Sequence, residues 1–172
     1  MNEDEAKQLS ISVSDPDYVS LEYEVVHSDN ITATLDNDII NISIDENYFG
    51  NESLTLTVTD DQNAEASQTI SIIIQSVNDA PVLASISDVS FDEDTSGSLS
   101  LSADDVDGDD LSYSIVGGSD ITAVLDGSDV SFSTPANYNG SEAFTVSVND
   151  GELSDSQSIT VTVNAVNDSP VA

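Results

Sequence analysis

The chain has 172 residues, 38 % of them apolar, which is enough for two small cores and not for one large one. Against 34 acidic residues stand one lysine, Lys7, and one histidine, His27, for a formal net charge of −33. With nothing basic to displace phosphate counterions or meet anionic headgroups, nucleic acid and anionic membranes are expected to be absent from its partners, and the lack of cysteine excludes disulfides, thiolate metal sites and thiol nucleophiles.

Apolar residues recur at every second position along nearly the whole chain, and period two predicts half-buried strands. In order, the predicted strands carry Leu9, Ile11, Val13; Leu21, Tyr23, Val25; Ile31, Ala33, Leu35; Ile40, Ile42, Ile44; Leu54, Leu56, Val58; and Ile70, Ile72, Ile74. The joint VNDAPV, residues 77 to 82, follows, and PVLASISDVSF, residues 81 to 91, predicts one further strand. Then come Leu99, Leu101, Ala103; Leu111, Tyr113, Ile115; Val130, Phe132; Phe144, Val146, Val148; and Ile159, Val161, Val163, closed by VNDSPV at 166 to 171. Turn signals such as Asp126-Gly127 and Asn149-Asp150-Gly151 separate the strands, and no helical spacing of useful length occurs. Such regular alternation also sets the chain apart from a disordered acidic one.

Sliding the sequence along itself by 90 residues superposes two copies of one pattern. Leu9, Asp15, Asp17, Leu21, Tyr23 and Ile31 meet Leu99, Asp105, Asp107, Leu111, Tyr113 and Ile121; Asn47, Tyr48, Gly50, Glu52 and Asp60 meet Asn137, Tyr138, Gly140, Glu142 and Asp150. Roughly a third of positions are identical, the signature of a tandem repeat. The expected architecture is all-β, two tandem Greek-key β-sandwiches, residues 1–80 and 81–172. Copy one has no counterpart of the strand at 81 to 91, because Asn2 already aligns with Asp92. The expectation is that the chain is a piece cut from a longer array, since an exposed edge is something sheet proteins avoid.

Antiparallel strands run alternately up and down a sandwich, so strand parity assigns each acidic loop to an end. In copy two it puts Asp92, Glu93 and Asp94 at one end and Asp105, Asp107, Asp109 and Asp150 at the other. In copy one it puts Glu3, Asp4, Glu52, Asn78 and Asp79 at the end where the chain passes into copy two. A strand of about six residues spans about 20 Å, so the two ends of one copy serve different sites. Many hard oxygens with no nitrogen or sulfur donor suit calcium, which takes about six to eight oxygen ligands. Pro81 fixes one φ and removes a donor, holding the linker extended while Asn78 and Asp79 face the junction.

ADDVDGDDLSYSI, FTVSVNDGELSDSQSITVTVNAVNDSPV and the N-proximal DED resemble the cadherin repeat, and more closely the bacterial cadherin-like and immunoglobulin-like repeats of large secreted adhesins of the RTX type. The resemblance covers nearly the whole chain, twice. It implies a calcium-binding, calcium-rigidified module outside the cell or on its surface, an extender or adhesion segment whose partners are calcium and neighbouring repeats. By the same resemblance the metal ligands are Glu3, Glu52, Asn78, Asp79, Asp105, Asp107 and Asp150. Ser76 and Ala80 stand where cadherins carry linker ligands, and Gly50 where the Asp of a DRE motif would be, which implies fewer or weaker calcium ions than in animal cadherins.

Other chemistry finds little support. An EF-hand loop counted from Asp105 would need Glu at its twelfth position, which is Val116. His27 has neither a second histidine nor a cysteine to work with, and a glycosidase carboxylate pair lacks a tryptophan platform, so the chain is not expected to be an enzyme. The alternative function is a calcium-dependent module binding carbohydrate or another cadherin-like domain, including a second copy of itself.

Overall fold

The computed structural model describes residues 1–17 and 20–170; Val171, the last residue of the second VND-x-PV joint, lies outside them. The chain divides into two compact units, Met1–Val77 and Asn78–Ala172. Among the described residues there is no helix, and so none long and apolar enough to cross a membrane.

The first unit contains β1 (Lys7–Ser10), β2 (Glu22–His27), β3 (Ile31–Asp36), β4 (Ile39–Ile44), β5 (Gly50–Thr59) and β6 (Glu65–Ile74). They form two three-stranded antiparallel sheets, β1-β4-β3 and β2-β5-β6. The alternation predicted from sequence is realised at Ile31, Ile40, Ile42, Leu54, Ile72 and Ile74, which are buried, whereas Tyr23 and Val13 are exposed and β1 ends before Ile11 and Val13. A lone parallel bridge ties Asn2 to Gln75 at the edge of β6.

The second unit repeats this plan in β9 (Gly97–Ser100), β11 (Ser112–Gly117), β12 (Thr122–Asp126), β13 (Asp129–Ser133), β14 (Gly140–Asn149) and β15 (Ser154–Asn164), and adds β7 (Val82–Leu83), β8 (Val89–Asp92) and β10 (Ala103–Asp104). Its sheets run β12-β13-β9 and β11-β14-β15-β8, with a short β10-β7 pair. Phe132 and Phe144, both fully buried, meet edge to face at 5.4 Å and 71° in the centre of its core, an arrangement that adds about 0.5–1.5 kcal/mol to their area burial.

The single strand expected over 81 to 91 is broken in two. β7 pairs antiparallel with β10, whereas β8 runs parallel to β15, Val161 to Asn164 opposite Val89 to Asp92. Between them side chains satisfy the backbone that the ladder does not. Gln157 accepts from Ile86 N–H at 3.0 Å and donates to the Leu83 and Ala84 carbonyls, Asp155 accepts from Leu83 N–H at 3.0 Å, and Asp88 accepts from Thr160 N–H at 2.7 Å. A buried polar backbone needs partners, and these three side chains let the strand change sheets. Hydrophobic periodicity is blind to such a crossover.

Candidate metal centre

One end of the second unit collects the linker residues and the DxD loop. Asp79 donates its N–H to Asp107 Oδ2 at 2.8 Å, and Asn78 donates from Nδ2 to Asp150 Oδ2 at 2.9 Å. Four of the predicted ligands are thus joined in two pairs. Asp105, Asp107 and Asp109 each present a carboxylate oxygen, and the three atoms lie within 4.8 Å of one another.

Local sequence explains how the loop holds this shape. Asp105 Oδ1 accepts the N–H groups of Gly108 at 2.9 Å and Asp109 at 3.2 Å, folding residues 105 to 109 back on themselves, and Gly108 takes φ +79, which a side chain would resist. Asp150 makes a similar turn, its Oδ1 accepting from Glu152 and Leu153 N–H, both at 2.7 Å. Asp105 Oδ2, by contrast, is buried and has no hydrogen-bond partner. An orphaned carboxylate oxygen in a nest of carboxylates is costly unless a cation meets it.

The electrostatics carry the same mark. Burial and then the negative charges of Asp105, Asp107, Asp150 and Glu152 push the Asp109 carboxyl above its ordinary pKa. Asp150 is held below the usual carboxylate range, first by the Asn78 amide and then by the N–H groups of its own turn. The donor set is all oxygen, hard and anionic, and so fits a calcium-like cation better than a soft or nitrogen-seeking metal.

The remaining two predicted ligands lie in the first unit. Glu3 is buried; its Oε1 accepts Val77 N–H at 2.5 Å, and its Oε2 is buried with no hydrogen-bond partner. Glu93 makes the matching clasp in the second unit, accepting Val166 N–H at 2.6 Å. Each clasp ties the N-proximal Glu to the valine that opens a VND-x-P joint, a role that charge counting alone does not reveal. Glu52 Oε1 accepts from Asn30 Nδ2 at 2.7 Å, and hydrogen bonds from the side chains of Ser28, Tyr48 and Asn30 hold its carboxyl below the ordinary range. Asp109 joins the cluster without being among the predicted ligands; its place in the DxDGDD run is the signal that could have added it.

Two sheets of mainly antiparallel strands, repeated in tandem, define immunoglobulin-like and cadherin-like modules. The chain belongs to the bacterial Ig domain family, whose model matches residues 1–73 and 78–163. No curated protein matches it. Among solved structures it is similar to human protocadherin-24 EC1-2, with 16% identity, TM-score 0.55, 94% of this chain and 88% of that one covered. It also resembles protocadherin gammaB7 EC3-6, at 17% identity and TM-score 0.49 over 92% of this chain and 50% of that one. An endo-fucoidan hydrolase of glycoside hydrolase family 107 matches at 22% identity and TM-score 0.39 over 95% of this chain, which spans 26% of the hydrolase's length.

Proposed function

We propose that the chain is a calcium-binding, calcium-rigidified extracellular repeat module, an extender or adhesion segment of a larger cell-surface or secreted protein. What carries the reading is the Asp105-Asp107-Asp109 cluster with its buried, unpartnered Asp105 Oδ2. Asp107 and Asp150 connect that cluster to the linker through Asp79 and Asn78. A cation there would neutralise the loop and fasten the linker to it, converting a flexible joint into a stiff one. Strand parity in the sequence supplies the rest of the proposed ligand set, Glu3 and Glu52 of the first repeat, with the linker residues 78–80 as the joint.

The test is calcium titration by calorimetry, paired with thermal melts in chelator, calcium, magnesium and sodium chloride at matched ionic strength. Saturable binding and a rise in melting temperature specific to calcium are expected. Asp105→Ala should weaken binding by tenfold or more while Asp15→Ala changes little, since position 109 corresponds to Val19 in copy one and the third carboxylate is missing there. Equal losses from both substitutions, or equal stabilisation by every salt, would leave only a solvated acidic spacer.

A further inference from the structure

β11 lies at the edge of its sheet: it pairs with β14 on one side and, among the described residues, with no strand on the other. Edge strands are normally guarded by charge, bulge or proline. Copy one follows that practice, since β2, the matching edge strand, carries Glu22 and Glu24. At their positions β11 has Ser112 and Ser114, and residues 111 to 119, LSYSIVGGS, hold no charged side chain in a chain with 34 acidic ones. Ser112, Ser114, Val116 and Gly117 are exposed, Val116 by 65%. Parity assigns the free backbone groups. In copy one Ser28 N–H donates to the Ser53 carbonyl, so residues of that parity bond β5, while Tyr23, Val25 and His27 turn their N–H and C=O to the open side. Their counterparts in β11 are Tyr113, Ile115 and Gly117.

We propose that β11 is a self-association edge, at which two copies of this chain pair their β11 strands antiparallel about a two-fold axis at Ser114. Charge selects that register. Centred on Ile115, the pairing would set Asp110 against Asp120; centred on Ser114, it sets Asp110 against Gly118 and Asp120 against Gly108, and no carboxylate faces another. Tyr113 then lies opposite Ile115 twice, their outward backbone groups bonded, and such aromatic and β-branched neighbours are a stabilising cross-strand pair. Ser114 meets its own copy, as an isologous contact requires. Charge also selects the occupant. A cationic partner would settle on the acidic surface, whereas a neutral edge on a chain of net charge −33 is where an equally acidic partner, a second copy, can approach. The pairing uses no metal and stands apart from the calcium reading.

Sedimentation equilibrium of the full chain in chelator, at low and high sodium chloride, tests this. A monomer–dimer equilibrium is expected that tightens with salt, because screening relieves the repulsion between two acidic copies. Ser112→Glu with Ser114→Glu, which gives β11 the residues of β2, should weaken it at least tenfold. Thr32→Glu with Thr34→Glu, the same charge at exposed positions of the first unit, should change it little. Because the chain has no cysteine, Ser114→Cys reports the register. Opposite its own copy in a closely spaced, non-hydrogen-bonded pair, it should cross-link under mild oxidation at least tenfold faster than Ser112→Cys, which lies opposite Val116. A monomer at millimolar chain in high salt, association indifferent to the β11 glutamates, equal weakening by both glutamate pairs, or equal cross-linking at 112 and 114 would overturn the proposal.

Discussion

Asp107→Asn separates a metal site from a merely acidic loop, because its effect should change sign with calcium. In chelator, Asp107 and Asp105 oppose each other with carboxylate oxygens no more than 4.8 Å apart. Two unit charges at that separation repel by about 1 kcal/mol in a water-like dielectric and about 3 kcal/mol at an effective dielectric near 20. Neutralising one removes that repulsion. The substitution also turns the charged acceptor of Asp79 N–H, at 2.8 Å, into a neutral one, a loss of about 1 kcal/mol. The two effects nearly offset, so the melting temperature in chelator should hold or rise by a few degrees. With calcium the same change removes an anionic ligand. A tenfold weaker affinity corresponds to about 1.4 kcal/mol, and for a domain of this size each kcal/mol moves the midpoint by roughly 4–8 °C. The calcium-induced rise should therefore shrink by that order, read by calorimetry and by titration of the same samples. An equal drop in melting temperature with and without calcium would show that Asp107 serves only to cap the linker, and the metal reasoning would fail.

Three further outcomes follow from the geometry. Glu142 accepts N–H bonds from Ile121 and Ser119, both at 2.9 Å, and from Asp120 at 3.1 Å, and they hold its carboxyl below the ordinary range. Its contribution to stability is therefore present above the unfolded carboxyl pKa and lost as pH falls through the folded one, so Glu142→Gln should lower stability at pH 7 and flatten acid unfolding of the second unit. The second unit buries Phe91, Phe132 and Phe144, where the first has Met1, Ile42 and Leu54. Calorimetry should resolve two transitions with the second unit higher, and Phe132→Ala should lower that one alone by about 3–5 kcal/mol. Gly117 sits at φ +132 with the Ala143 carbonyl oxygen 2.4 Å from where a Cβ would stand; Gly117→Ala should destabilise the second unit, checked by denaturant titration.

Much of the fold was legible because period-two alternation and a 90-residue self-match report on burial and repetition directly. Both were realised at residues such as Ile40, Leu54, Val130 and Val146, all buried as the alternation requires. The break between β7 and β8 was not legible, since the pattern of PVLASISDVSF continues across it. What divides the strand is a set of polar side chains more than 70 residues away in sequence, Asp155, Gln157 and their neighbours, which no local window includes.

The matched glutamates show why a carboxylate's address is easier to read than its employment. Glu52 and Glu142 occupy one position of the repeat, and each serves a matched loop, β2–β3 in the first copy and β11–β12 in the second. In copy two that loop reads Gly117-Gly118-Ser119, and left-handed backbone at both glycines precedes three successive N–H groups aimed at Glu142. In copy one His27 and Ser28 replace the glycines, φ stays negative, and the Glu52 carboxylate is met by the side chains of Asn30, Ser28 and Tyr48 instead. The same accounting applies at the metal centre. Asp150 gives one oxygen to its own turn and the other to Asn78, and Asp105 gives Oδ1 to Gly108 and Asp109, so a tally of carboxylates overstates the oxygens at a cation's disposal. The oxygens left over bind with no lone pair already given to a hydrogen bond. Asp105 Oδ2 is such an atom, and the positive charge of a cation seated there would offset the repulsion among Asp105, Asp107 and Asp109.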